Sequence, residues 1–484
     1  MRKRIVTAAL VALTLPAFSQ QPAPATESKP AQPATTTPAA PNPFFEEWTG
    51  PFGVPPFDRI KAEHFLPAFE KAIEQRKSEV AAITKSAEPA TFANTIEALE
   101  NGGLLLAKVS DVFFALSGAD TNDTLQGIAK QVSPKLSALR DDILLDEALF
   151  RRVKSVYEQR EKLTLSVEQK KLLDETWKDF VRGGANLSPE QKKRFREINQ
   201  ELAALGLKFG DNLLKETNSY RLVIEKKEDL AGLPPALVAQ AADAAKAAKL
   251  EGKWVFTLQA PSIFPFLTFS ENRELRRQIL TAYATRGDHD NEFDNKKGLA
   301  RVAALRVERA NLLGYKTHAD FVLAENMAKT PARVYELIDK MWKPALGVAK
   351  KEAADLQASI KANAGTFKLE PWDWRFYAEK VRKQRYDLAD DELRPYFAID
   401  RVREGAFHTA NKLYGLTFTE RPDLPKYHSE VRTFEVKDAD GTFLALLTMD
   451  FHPRPGKRGG AWCGRLRSGW ARDGKSIRPI VTNV

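Results

Sequence analysis

Apolar positions along this chain recur mostly at intervals of three and four residues. Phe65, Phe69 and Ile73 fall on one helix face. Phe195, Ile198, Leu202, Leu205 and Phe209 repeat at 3-4-3-4, the seam of a long amphipathic helix. Ser166 with Gln169, and Ser188 with Gln191, are capping-box pairs, and Pro189 stands at a first helical position. Gly183, Gly184 and Asn186 separate these two segments, so they predict an antiparallel helical hairpin. Thr330-Pro331 opens another helix with Val334, Leu337, Ile338 and Met341 on one face, and Pro344 is expected to kink or end it. A further helix is expected from Pro371 through Gln384.

Strand patterns are few. Ser219–Ile224 and Lys253–Leu258 are short candidates. Val431–Lys437 alternates, Asp438–Gly441 supplies turn residues, and Thr442–Asp450 follows as a second strand. Ile480–Val484 is β-prone and apolar, and it calls for a partner strand. The fold class read from this pattern is mainly α, with one small β-sheet near residue 450.

The first 43 residues depart from the pattern. Arg2, Lys3 and Arg4 precede an apolar run, Ile5–Phe18, that is shorter than a membrane span of ~20 residues. Ala17-Phe18-Ser19 offers a small-x-small cleavage site. Residues 1–19 therefore read as a secretory signal, with an uncleaved anchor as the alternative. Residues 20–43 are Pro, Ala, Thr and Gln, too polar to offset ordering entropy, and read as a disordered tether. Export to a bacterial periplasm follows, with no second apolar span and no membrane partner expected.

Composition narrows the chemistry. The 484 residues hold one cysteine, Cys463, so neither an internal disulfide nor a multi-cysteine zinc site is available. The six histidines are His64, His289, His318, His408, His428 and His452, no two closer than 20 positions, and there is no HExxH. Gly469–Ser476 matches GxxxxGK[ST]. Ile477, Arg478 and Pro479 resist the helix such a loop requires, so a turn is expected there. The net charge of +10 is mild. His452–Arg478 nevertheless carries eight Lys or Arg residues against Asp473, with Trp462 and Trp470 interleaved. A solvated loop is one reading. Single-stranded nucleic acid is another, set aside for an exported chain. A third is a peptide-binding edge: Gly459, Gly460 and Ala461 lack bulk, so a substrate backbone could approach there, with guanidinium groups nearby for a carboxylate.

Ten stretches from Asn42 to Val484, among them TFANTIEALE, SENRELRRQILTAYATRG, PWDWRFYAEKVRKQRYDL and EVKDADGTFLALLTMDFHPRPGKRGGAW, resemble the thimet-oligopeptidase family of zinc metallopeptidases, and within it the bacterial peptidyl-dipeptidase branch. The resemblance implies a two-part helical ellipsoid around a central channel, admitting short unfolded peptides. It also implies zinc-assisted hydrolysis releasing C-terminal dipeptides. It divides the chain into an N-terminal helical domain, 44–255, and a catalytic domain, 256–484. The family's HExxH and third ligand have no counterpart here, so the catalytic part is expected to be incomplete and truncated. Zinc belongs to the complete family member, and no catalytic or metal residue is assigned in this chain. Gly459, Gly460, Ala461 and Trp462 match the substrate-pairing region, with a purely structural Gly-Gly turn as the alternative. The expected function is that of an inactive zinc peptidase, or of a non-catalytic peptide-binding protein. The sheet is expected to lack part of its cover.

Overall fold

A computed structural model describes residues 41–387, 390–472 and 475–484. The expected leader and residues 20–40 of the tether lie outside the described residues. Contacts divide the chain into two units. One comprises residues up to Asp211 together with Tyr414–Val484, and the other is Asn212–Leu413. Along the chain the second unit is inserted within the first.

The first unit begins with helices. α1 spans Phe65–Thr84, α2 Ala98–Asn101, α3 Leu104–Ala119, α4 Asp123–Leu144, α5 Glu147–Glu158, α6 Val167–Arg182 and α7 Pro189–Ser219, whose residues from Asn212 on are counted with the second unit. α1 buries Phe65, Phe69, Ala72, Val80 and Ile83, as a 3.6-residue period dictates. Phe65 and Phe69 meet Phe113 of α3 with ring centroids 5.1 and 5.2 Å apart, edge to face. Both capping boxes form. Ser166 Oγ accepts from Gln169 N at 3.2 Å, and Ser188 Oγ from Gln191 N at 3.3 Å. The seam of α7 differs from the expected one. Phe195 and Ile198 are buried, but Ala203 and Leu207 replace Leu202 and Leu205, and Phe209 is 37% exposed. A strict seven-residue repeat drifts about 20° per heptad on a straight helix, so over 31 residues the contact face rotates off it.

The stretch Phe92–Ala119 is long and apolar enough to cross a membrane, contrary to the expectation of no second apolar span. Its Ile96, Val109, Val112 and Phe113 are buried among the helices of this unit.

The second unit opens with an antiparallel ribbon of β1, Leu222–Ile224, and β2, Trp254–Phe256. Its helices are α8 Pro235–Ala247, α9 Ala260–Phe269, α10 Arg273–Ala284, α11 Lys296–Leu312, α12 His318–Leu323, α13 Pro331–Ala362, α14 Pro371–Tyr386, α15 Asp390–Leu393 and α16 Ile399–Tyr414. Arg276 of α10, 1% exposed, bonds the wholly buried Asp373 of α14 at 3.0 Å and the Trp372 carbonyl at 3.0 Å. Pro344 does not end α13. The turn around it is exposed, so water can meet the carbonyl that proline leaves without its partner. Leu337, Ile338 and Met341 do lie within α13, but exposed rather than in a core.

The remaining strands return to the first unit: β3 Thr417–Glu420, β4 Arg432–Lys437, β5 Phe443–Met449, β6 Cys463–Arg467, β7 Trp470–Arg472, β8 Lys475–Ile477 and β9 Ile480–Asn483. Five form a mixed sheet in the order β3-β4-β5-β9-β6, with β5 and β9 parallel and the other pairs antiparallel. The β-prone run at 480–484 thus finds two partner strands. The expected single sheet becomes this sheet plus two ribbons, β1-β2 and β7-β8. Leu446, Leu466 and Ile480 are buried with Val54 and Leu424, so this face of the sheet is covered by the segment around Val54.

Candidate functional site

The site is built from the loop between β5 and β6. Asp450 directly follows β5, and its N–H donates to the Asn483 carbonyl at 2.9 Å, prolonging the parallel pairing. Its carboxylate is fully buried. It accepts from Arg454 Nη1 at 2.9 Å and Nη2 at 2.6 Å, from Lys457 Nζ at 2.9 Å and from the Tyr427 hydroxyl at 2.8 Å. Burial alone would push this carboxyl up. The hydrogen bonds from Arg454, Lys457 and Tyr427 outweigh it and hold the group below the usual carboxylate range. Burial, joined by the Asp450 charge, pushes the Tyr427 hydroxyl well above its ordinary value. Arg454 also donates to Asp120 at 3.1 Å, and Lys457 to the His452 carbonyl at 3.0 Å.

This network fixes the base of the loop against the end of α3. Thr121 N donates to the Gly456 carbonyl at 2.7 Å, and Arg458 N to the Gly118 carbonyl at 3.0 Å. A Cβ on Gly456 would lie 2.5 Å from Thr121 O, closer than real contacts allow. The loop closes at Trp462, whose N–H and carbonyl both pair with Val484 at 2.9 Å.

Between these anchors Gly459, Gly460 and Ala461 are exposed, and Trp462 is half-buried. Gly460 has φ +112°, a conformation that side-chain-bearing residues avoid. Gly459 has no such constraint, and a Cβ built there meets nothing within 4 Å. Crowding within the chain therefore does not account for glycine at 459, and the space over its backbone is open. β6, an edge strand of the five-stranded sheet, follows immediately and carries the exposed Cys463.

The basic stretch is largely committed within the chain. Arg454 and Lys457 hold Asp450, Arg465 donates to Asp111 at 3.0 Å, and Arg467 donates to the carbonyls of Phe52, Gly53 and Arg478. These four do not stand ready for a substrate carboxylate or for phosphates. Trp470–Arg472 and Lys475–Ile477 form a hairpin, so no helix start follows the GxxxxGK[ST] match; Asp473 and Gly474 lie outside the described residues.

The histidines are dispersed. His64 Nδ1 accepts from Lys61 N, His428 Nδ1 accepts from Glu430 N, and His289 lies between the Glu216 carboxylate and the Thr285 hydroxyl. Among the described residues, no group of three or more His, Cys, Asp or Glu could hold a metal ion.

Residues 266–482 match the profile of peptidase family M3. The chain is 38% identical over 444 residues to a dipeptidyl carboxypeptidase of Salmonella typhimurium, and 39% identical over 444 residues to one of Escherichia coli. Over residues 266–482 the chain is similar to peptidase family M3, and its similarity to the two carboxypeptidases extends over most of its length. Each match covers 92% of this chain and 65% of the relative, so the chain spans just under two thirds of those proteins' length. Oligopeptidase A of Escherichia coli is 32% identical over 439 residues, with 89% of this chain and 64% of that protein covered. The M3 family is zinc-dependent, which sets the dispersed histidines of this chain in relief.

Asp450 and its partners were not singled out from the sequence. The available cue was a carboxylate ending an alternating strand, with Arg454 and Lys457 four and seven positions on.

Proposed function

We propose that this chain holds short, unfolded peptides at Gly459–Trp462, and that zinc-assisted release of C-terminal dipeptides is the activity of the fold it belongs to rather than of these 484 residues alone. The observation that carries the reading is the open space above Gly459, on an exposed backbone whose flanks are locked and which leads into an edge strand. A substrate strand laid there would gain main-chain hydrogen bonds without displacing a side chain. The 38–39% identical relatives are dipeptidyl carboxypeptidases, which supports the substrate class. The leader pattern over residues 1–19 supports export to a periplasm; N-terminal sequencing of the secreted chain should start near Gln20, and an intact Met1 would exclude cleavage.

The test uses Cys463, the single cysteine, as the attachment point for a fluorophore. Titration with N-blocked tri- to hexapeptides should give saturable binding. Gly459→Val should weaken it at least tenfold with no loss of folding, because a side chain there meets open space. Equal affinity in the variant would place the peptide elsewhere. Chelator-sensitive dipeptide release by the unmodified chain with zinc would overturn the claim of inactivity and with it the reading of a purely peptide-holding chain.

A further inference from the structure

The second unit carries a carboxylate, an imidazole and a hydroxyl in line. Glu216, near the end of α7, is buried. One of its oxygens accepts from His289 Nδ1 and the other from the Gly287 N–H. An ionised carboxylate only accepts, so Nδ1 bears a hydrogen, and Nε2 of the neutral ring is left as an acceptor. Nε2 stands 2.7 Å from the Thr285 hydroxyl oxygen. A nucleophile, a base and a group that orients the base are thus within hydrogen-bond reach of one another.

The frame around them is set by the fold. Thr285 ends α10, with its N–H bonded to the Thr281 carbonyl at 3.0 Å. Gly287 has φ +78°, and its carbonyl accepts from Asn295 N at 2.8 Å. Arg286 donates to Thr217 Oγ1 of α7 at 2.9 Å, and Asn212 of α7 donates to Asn295 Oδ1 at 3.0 Å, so the loop is tied to α7 on both sides of His289. Asp288, Asp290 and Asp294 converge on the Lys296 ammonium at 2.6, 3.0 and 2.8 Å, which leaves Glu216 as the carboxylate bonded to the ring. The hydroxyl has two acceptors, because Oγ1 also lies 2.7 Å from the Thr281 carbonyl. With His289 charged, Nε2 donates and the hydroxyl turns to Thr281. With His289 neutral, the hydroxyl donates to Nε2, and Thr281 keeps the Thr285 N–H. Loss of one proton from the ring therefore frees the hydroxyl for reaction. The His289 side chain is 41% exposed and Thr285 is half-buried, within reach of a small molecule from solvent.

We propose that Thr285 is an acyl-accepting nucleophile for small activated esters, with His289 as its base and Glu216 as the positioning residue of the ring. Oγ1 attacks the ester carbonyl carbon, and its proton passes to His289 Nε2. The bond from that carbon to the leaving oxygen breaks, the oxygen keeps the electron pair, and the imidazolium returns the proton to it. The chain is left acylated on Thr285. The arrangement activates the nucleophile, so the donor it suits brings a good leaving group, as an aryl ester does. The site lies within the second unit and does not depend on peptide held at Gly459–Trp462.

The probe is p-nitrophenyl acetate, offered to the full 484-residue chain carrying Cys463→Ser so that the exposed thiol does not compete. One equivalent of nitrophenolate should appear in a burst, with the acetyl group mapped to Thr285 by peptide mass spectrometry. The burst rate should climb with pH and level off once the ring is neutral. Thr285→Val should abolish burst and label, and Thr285→Ser should retain both. His289→Gln should slow the burst about a hundredfold, in keeping with the contribution of a general base. Glu216→Gln should lower the plateau about tenfold and move the climb to lower pH, because the ring loses its countercharge. A Glu216 that only held the loop would leave the pH of the climb in place, which would overturn its assigned role. Absence of a burst, a burst whose label lies on another residue, a burst that survives Thr285→Val, or one indifferent to pH would each overturn the proposal.

Discussion

Asp450→Asn probes how the candidate loop is held. The substitution keeps the volume and removes the charge on which Arg454, Lys457 and Tyr427 converge. Breaking a buried ion pair from one side costs about 3–5 kcal/mol, because the partner charge stays buried. Arg454 retains Asp120 at 3.1 Å, whereas Lys457 keeps only the carbonyls of residues 450 and 452, so the lower end, about 3 kcal/mol, is expected. The strain falls on residues 451–462, which dock through this network, through backbone bonds to Gly118 and Thr121 and through the Trp462–Val484 pair. Hydrogen exchange across 452–462 should accelerate about a hundredfold, the equivalent of ~3 kcal/mol in local opening. Exchange in α1 should hardly change. Peptide affinity should fall with it. The pH dependence has a definite sign. The folded-state pKa lies below the unfolded value, so the stabilisation is present above about pH 4 and is lost as pH falls through the folded value. In Asp450→Asn that acid limb disappears. Unchanged exchange over 452–462, with a fall confined to the global transition, would show that Asp450 serves the core and not the loop.

Gly456→Ala should reproduce the loop phenotype by another route, because its Cβ meets Thr121 O at 2.5 Å; exchange over 452–462 reports it. Asp141 is buried, with Oδ1 accepting from Asn199 at 2.9 Å, and burial raises its pKa to about 6 against the opposing pull of Asn199 and Arg196. Its ionisation therefore lowers stability as pH climbs from about 4 to 6, and Asp141→Asn should be more stable at pH 7, by up to about 3 kcal/mol, but not at pH 4 in urea titrations. Asp373→Ala strands the buried Arg276 guanidinium and should cost about 3–5 kcal/mol in the unfolding of the second unit; a loss below 1 kcal/mol would mean that the carbonyls of Ser270 and Trp372 suffice for Arg276.

Local chemistry was legible in the sequence, and non-local chemistry was not. Ser166 and Ser188 announced their caps because a capping box involves four consecutive residues. The hairpin from Val431 to Asp450 was readable from alternation and a turn, and it appears as β4 and β5. The place of β9 between β5 and β6 was not, since pairing partners 34 residues away in β5 and 13 to 20 away in β6 leave no mark on periodicity. Periodicity marked the face of Val334, Leu337, Ile338 and Met341 on α13 but could not say whether anything covers it; Val334 is half-buried and the other three are exposed. At the candidate site, Gly459–Trp462 stood out by composition. Tyr427, Asp450, Arg454, Lys457 and Asp120 did not, because five residues drawn from three separate stretches of chain converge only after folding.

The role of β9 follows from where the loop ends are tied. Asp450 N bonds Asn483 O, and Trp462 bonds Val484 through both of its backbone groups, so two adjacent residues clamp both ends of the loop. Below the clamp the Asp450 network and the Thr121–Gly456 bond remove the freedom of residues 454–458. Between Arg458 and Trp462 this leaves the exposed Gly459, Gly460 and Ala461, flanked on both sides by tied residues. Ordering a loop on binding costs about 1–2 kcal/mol per residue of backbone freedom. Here most of that ordering is completed when the sheet folds, so a peptide meeting Gly459 loses mainly its own freedom. The same geometry ties peptide affinity to the sheet: loosening β9, for example by Val481→Pro, which removes a backbone donor from a strand paired on both sides, should abolish binding while α1–α6 stay folded, as far-ultraviolet circular dichroism would register.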